Sequence, residues 1–194
     1  MRFLFLLFFF TTAISGKALS NCINGNCSNG YGNFIFTEGE KYIGEWKDGK
    51  RHGNGVMKWT SPIEVEYIGE WVNGEQNGEG ILIIADKEKY FGGFKNSKRH
   101  GYGVSYYPKL GKYFGEYKNN YQEGNGTYLY TDGTKYVGEF KKNKFHGKGE
   151  LKYADGSEYK GEFKNNMFHG KGKMILINGK IYDGRWEESK FLGE

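Results

Sequence analysis

A motif of Tyr-x-Gly-Glu followed by an aromatic residue returns along this chain at a nearly constant interval, and that interval limits the folds open to it. With small departures it begins at Tyr42, Tyr67, Tyr90, Tyr113, Tyr136, Tyr159 and Tyr182, at spacings of 25, 23, 23, 23, 23 and 23 residues. A fixed period of this size means stacked supersecondary units, each touching mainly its neighbours. Such an array offers a long surface and seldom a single deep pocket. Hydrophobic residues are only 37% of the 194, whereas aromatics reach 18% and glycine occupies 32 positions, so burial has to come from Tyr, Phe and Trp rings. The glycines follow the long period and not a three-residue one, which excludes a collagen-like chain.

The unit from Tyr136 shows how one repeat is built. Tyr136–Lys141 alternates, Lys142-Asn143 breaks the alternation, and Lys144–Tyr153 resumes it. The equivalent pairs Asp48-Gly49, Asn73-Gly74, Asn119-Asn120 and Asn165-Asn166 tolerate positive φ and suit type I′ turns. A two-residue loop predicts a hairpin in which Phe140 faces Phe145, Gly138 faces Gly147 and Tyr136 faces Gly149. One side of the sheet then carries rings laid over glycines, with Leu151 and Tyr153 beside them. The other side carries Val137, Glu139 and Lys141, and becomes more apolar toward the N-terminal half at Ile81, Ile83, Val104 and Tyr106. Turns such as Thr131-Asp132-Gly133-Thr134 join successive hairpins, and no segment has helical length and period. The predicted fold is all-β: a single elongated, twisted antiparallel meander of stacked hairpins, with a bulged loop over residues 60–66 where two extra residues and Pro62 fall.

Met1–Ser20 is different in kind. Arg2, the apolar run Phe3–Phe10 and the small-residue stretch ending Ala18-Leu19-Ser20 have the layout of a secretory signal peptide cleaved before Asn21. Loss of Arg2 and Lys17 with it reduces 28 basic residues to 26 against 23 acidic ones. That mixed balance is no nucleic-acid footprint. An exported chain, secreted, periplasmic or bound to the cell envelope, meets oxidising conditions. Asn24-Gly25 reads as a type I′ turn placing Cys22 opposite Cys27, a disulfide candidate. Leu19-Ser20-Asn21-Cys22 also loosely matches a lipobox, which makes Cys22 a lipidation candidate and the protein a possible lipid-anchored one.

Tyr42–Gly55 reads Tyr-x-Gly-Glu-Trp-x-x-Gly-x-x-His-Gly-x-Gly and resembles the MORN (membrane occupation and recognition nexus) repeat, a resemblance that extends over roughly residues 40–194. It implies a hairpin solenoid acting as a scaffold, in some proteins tied to membranes or lipid headgroups, with any enzymatic activity in a separate domain. The expected organisation is a signal peptide over 1–20, an N-terminal capping hairpin over 21–41, six repeats over 42–181 and an incomplete capping repeat over 182–194. Gly93 departs from the usual Glu, Asn77 and Glu123 from the His, and Ser97, Asn120, Asn143 and Asn166 from the turn Gly.

No catalytic, cofactor or metal site is expected. His52, His100, His146 and His169 share one repeat position, but successive repeats lie about 10 Å apart, too far for two of them to share an ion. His52, His146 and His169 should instead face Glu45, Glu139 and Glu162, pairs that would favour the stack slightly when protonated. Serines lack a recurring His and Asp arrangement, and the Gly-x-Gly strings lack the helix that a phosphate loop requires. Lys47, Lys95, Lys118, Lys141 and Lys164 recur in register and are candidate contacts to anionic headgroups. The expected partner is a protein or an anionic membrane surface, not nucleic acid, and pairing of hairpin ends between chains would give a homodimer. A carbohydrate or cell-wall-binding module that stacks sugars on the aromatic face is the alternative.

Overall fold

The computed structural model describes residues 21–36, 39–60 and 62–194, so the leader expected over residues 1–20 lies outside the described residues. The described residues form one sheet of sixteen strands in strict chain order, from Cys22–Gly25 to Lys190–Gly193. Each strand is antiparallel to the one before it, and the two end strands do not pair, so the sheet is an open meander and not a barrel.

The turn residues explain the hairpins. Asn119 and Asn120 have φ of 51° and 72°, and Asn165 and Asn166 of 54° and 71°, the left-handed pair that a type I′ turn needs. Asn or Ser in place of the second turn glycine has a further use. Its side chain reaches the preceding hairpin: Arg99 N–H donates to Asn120 Oδ1 at 2.9 Å, Gln122 N–H to Asn143 Oδ1 at 2.7 Å and Phe145 N–H to Asn166 Oδ1 at 2.7 Å. The same turn residues donate their own N–H groups back, as Asn143 to Gln122 O at 3.1 Å. The departures from glycine therefore stitch one repeat to the next.

On one side of the sheet, here the ring face, the seven-fold motif builds the core. Tyr42, Tyr67, Tyr90, Tyr113, Tyr136 and Tyr159 are all 0% exposed. Each ring meets the aromatic residue four positions on edge-to-face, as Tyr136 meets Phe140 at 5.1 Å. Each also meets the equivalent aromatic of the next repeat, as Tyr113 meets Phe140 at 4.9 Å and Tyr136 meets Phe163 at 5.1 Å. Edge-to-face contacts of this kind contribute about 0.5–1.5 kcal/mol beyond area burial. They run unbroken from Trp46 to Trp186.

The register differs from that of a plain two-residue hairpin. Phe140 faces Phe145 and Glu139 faces His146, but Gly138 then faces Gly149 and Tyr136 faces Leu151. Gly147 and Lys148 are bulged out, and the same shift recurs in the repeats of Tyr42, Tyr67 and Tyr159. Two features hold the bulge. Gly147 adopts φ +57°, and Glu139 Oε1 accepts from Lys148 N–H at 2.8 Å. The tyrosine hydroxyl closes it from the ring face, donating to Glu139 O at 2.8 Å. Because the slip is two residues, every side chain keeps its side of the sheet, so the ring face holds the residues expected there although the pairing changed. Pro62 lies outside any strand, between Lys50–Trp59 and Val65–Val72, where the sequence places the loop.

A Cβ added at Gly149 would sit 2.5 Å from Tyr136 Oη and 2.7 Å from its ring carbons. Gly149→Ala should therefore cost about 1–3 kcal/mol, read from urea unfolding. Gly156→Ala points into open space and meets only its φ of +92°, so it should cost less. Equal losses at the two sites would contradict the packing of ring on glycine.

Candidate docking surface

The opposite side, the open face, carries a second continuous ladder. Ile43 pairs with Val56, Val56 with Ile68, Ile68 with Ile81, Ile81 with Phe91, Phe91 with Val104 and Val104 with Phe114. Thr127 and Val137 continue it. The row thus crosses nine consecutive strands, and its largest members remain in water: Phe91 is 47% exposed and Phe114 42%. From Glu150 onward the same row turns charged, with Lys160–Glu150 at 3.7 Å and Lys173–Asp183 at 3.4 Å. The x of Tyr-x-Gly-Glu supplies Ile43, Ile68, Phe91, Phe114 and Val137 of this ladder, of which the sequence pattern points to Val137, together with Ile81 and Val104 on the second strands.

Charged rows bound the ladder. Toward the connections between hairpins stand Lys41, Lys58, Lys89, Lys112, Lys135 and Lys152, with Glu66, Ile83, Tyr106 and Leu129 among them. Toward the turns stand Glu45, Glu70, Glu79, Glu116 and Glu139. Four of these carboxylates accept from bulge N–H groups, as Glu45 from Asn54 at 2.8 Å and Glu116 from Asn125 at 2.8 Å. Beyond them, at the turns, lie Lys47, Lys95, Lys118, Lys141 and Lys164, the candidate headgroup contacts, all exposed. Lys47 faces Lys50, Lys95 faces Lys98 and Lys141 faces Lys144; in the other lysine row Lys41 faces Lys58 and Lys135 faces Lys152. Like charges directly opposite one another destabilise a sheet; Lys58 offsets this by bridging to Glu66 on its other side at 3.1 Å.

The histidine register is as the sequence implies, with His52 opposite Glu45, His146 opposite Glu139 and His169 opposite Glu162. The ion pairs do not follow, because the bulge amides occupy those carboxylates. Among the described residues no His–Glu salt bridge forms, and Nδ1 of His52, His100 and His146 is buried without a hydrogen-bond partner. Among the described residues no group of three or more His, Cys, Asp or Glu side chains could hold a metal ion.

Cys22 and Cys27 are joined as a disulfide with their Cα atoms 5.9 Å apart. The hairpin around them is not the expected one. Asn24-Gly25 lies inside the strand Cys22–Gly25, where Cys22 faces Phe34 and Gly25 faces Gly32. The turn falls on Asn26–Asn29, where Asn26 Oδ1 accepts from the N–H groups of Ser28 at 3.0 Å and Asn29 at 2.9 Å. An Asx-type turn has displaced the Asn-Gly one. Cys22 bonded in this way has no thiol to carry a lipid.

One polar cluster lies within the ring face. Ser105, 0% exposed, stands where other repeats place Met57, Leu82, Tyr128, Leu151 and Met174. Its hydroxyl donates to Glu88 Oε1 at 2.6 Å and lies 2.7 Å from Tyr117 Oη, and Glu88 also binds Arg99 Nη1. The Arg99 guanidinium lies over the rings of Tyr90 at 5.6 Å and Tyr117 at 5.2 Å. Burial opposes its charge, but Glu88 and the neighbouring tyrosines outweigh that and hold it above its ordinary range. In the C-terminal half, Phe145 and Phe168 take the arginine position and stack on Tyr136 at 3.7 Å and Tyr159 at 3.8 Å. Ser105 has a carboxylate neighbour yet no exposure through which a substrate could reach it. The Glu88 and Arg99 positions recur at Glu40 and Arg51, the same 11 residues apart, whereas Ser105 replaces Met57 and Tyr117 replaces Trp71, so the period carries the ionic pair and not the hydroxyls around it.

With this geometry in view, the comparison with known families is direct. The MORN repeat model matches residues 42–61, 67–88, 90–111, 113–135, 136–158 and 159–181. The chain belongs to the MORN-repeat family. No curated protein matches it.

Two outcomes follow. Glu88→Gln strands the Arg99 charge and should cost about 3–5 kcal/mol in chemical denaturation, whereas the combination Glu88→Thr, Arg99→Phe, Ser105→Leu copies Thr134, Phe145 and Leu151 and should be neutral or stabilising. Burial also pushes the hydroxyls of Tyr42, Tyr67, Tyr90, Tyr113 and Tyr136 far above their ordinary value and that of Tyr159 up to about 12. The folded state then holds these protons more tightly than the unfolded one. Their stabilising contribution is complete below about pH 10, the unfolded value, and falls as pH rises through 10 to 12. Tyrosinate absorbance and loss of near-UV circular dichroism should therefore appear together above pH 10; ionisation of these tyrosines in a still-folded protein would contradict it.

Proposed function

We propose that the protein is an exported, non-catalytic docking scaffold that associates through its open face with a partner protein or an anionic membrane surface. The observation that carries this reading is the apolar ladder from Ile43 to Val137, left in water on a sheet whose folding does not require it. Contiguous exposed apolar surface edged by charge marks an interaction site. The leader-like Met1–Ser20 and the Cys22–Cys27 bond support export. Sugar binding on the aromatic side is the weaker reading, because Tyr42, Trp46, Tyr67, Trp71 and their equivalents are buried against one another and offer no free ring.

The test is photocrosslinking of the full chain in its own host, with a photoreactive phenylalanine analogue replacing Phe91 or Phe114 on the open face, or Tyr153 on the ring face. Adducts with protein or lipid should form from positions 91 and 114. Adducts from position 153 alone, or from none, would overturn the proposal.

A further inference from the structure

Resting on that reading, we infer that the occupant of the open face is an amphipathic α-helix of a partner protein, with an acidic flank on one side of its apolar stripe and a basic flank on the other. The stripe is one side chain wide. Two residues along a strand separate it from each charged row, so the lysine and carboxylate rows stand about 14 Å apart, room for one helix of about 10–12 Å. Along the ladder, successive side chains advance about 4.8 Å, close to the 5.4 Å of a helical turn. Eight such steps span about 38 Å, the length of roughly 25 helical residues.

Charge selects the helix over the alternatives. Apart from Glu66, the charged residues flanking the ladder on the connection side are lysines, and the charged residues next to it on the turn side are carboxylates, so the two edges of the ladder ask for opposite complements. A uniformly anionic bilayer laid on this face would be attracted by the lysines beside the connections and by those at the turns, but would press on the carboxylate row that lies directly beside the ladder. A helix with opposite flanks satisfies both. Turning such a helix end for end while keeping its apolar side down exchanges the flanks, so the two rows also fix the direction in which it lies. The opposed pair Lys135–Lys152, unfavourable in the free sheet, is relieved by the acidic flank, whereas Lys58, opposite Lys41, is already bridged to Glu66 at 3.1 Å. The flank that faces the carboxylates needs to be only moderately basic, because their hydrogen bonds to the bulge amides persist.

The experiment uses the full chain and three synthetic 25-residue helices with one leucine stripe, flanked by Glu and Lys, by Glu on both sides, or by Lys on both sides. Fluorescence anisotropy should show the mixed-flank helix binding at least tenfold more tightly than either uniform one. Phe91→Glu combined with Phe114→Glu, both on the open face and remote from the rings, should reduce that binding at least tenfold with the near-UV spectrum unchanged. Lys89→Glu with Lys112→Glu should weaken it, and Lys95→Glu with Lys118→Glu should not. A quencher attached at position 54 should dim a label on one peptide terminus and not the other. Equal binding of the three helices, or binding indifferent to Phe91→Glu and Phe114→Glu, would overturn the inference. Binding only to phosphatidylserine vesicles, lost with those two substitutions, would overturn the helix and leave the docking face standing. Failure of the peptides together with absence of adducts at position 91 would remove both.

Discussion

A tyrosine ring lying flat across two facing glycines, with its hydroxyl donated into a backbone bulge, is the contact on which this molecule depends. Tyr136 covers Gly138 and Gly149 and binds Glu139 O at 2.8 Å. Gly147 supplies the left-handed residue of the bulge, and the Glu139 carboxylate takes the freed amide of Lys148. Tyr, Gly-Glu and Gly-x-Gly are therefore parts of one device, and none has a role without the others. The device also frees the sheet from needing a second layer, because the rings cover one another from repeat to repeat.

A chain that buries its core on one side of a single sheet leaves the other side available. Here that side is patterned rather than merely polar. An apolar row runs over nine strands between interrupted rows of lysines and carboxylates, and from Glu150 onward the apolar row gives way to the ion pairs Glu150–Lys160 and Lys173–Asp183. The ring face changes character near the same point. Its lids are Arg51, Gln76, Arg99 and Gln122 in the N-terminal half and Phe145 and Phe168 in the C-terminal half. The N-terminal half thus carries both the docking ladder and the acidic and basic residues of the ring face, Glu40 with Arg51 and Glu88 with Arg99.

Much of this was legible in the residues. The period gave the array, the Asn and Gly pairs gave the turns, and alternation gave the two faces. The bulge was not legible, because a shift of two residues leaves alternation intact and Gly147 and Gly149 look alike in the sequence. The first hairpin misled for a related reason: Asn24-Gly25 has turn chemistry, but Asn26 caps the next three residues with its own side chain and moves the turn. The His–Glu pairs failed because a register fixes which residues face each other and not what their side chains bind. Glu88 and Arg99 repeat Glu40 and Arg51 and were there to be read in the period, whereas Ser105, in place of Met57, breaks the repeat and is not announced by it.

Excision of one whole unit, residues 136–158, tests the central contact most directly. Joined across the gap, Tyr113 would meet Phe163 as it now meets Phe140. Rings that stack only on nearest neighbours predict a protein that still unfolds in a single cooperative step, with its remaining motif tyrosines buried and its near-UV spectrum reduced in proportion. A shortened chain with secondary structure but no near-UV signal, or one that fails to fold, would show that the stack is not the element holding the sheet together.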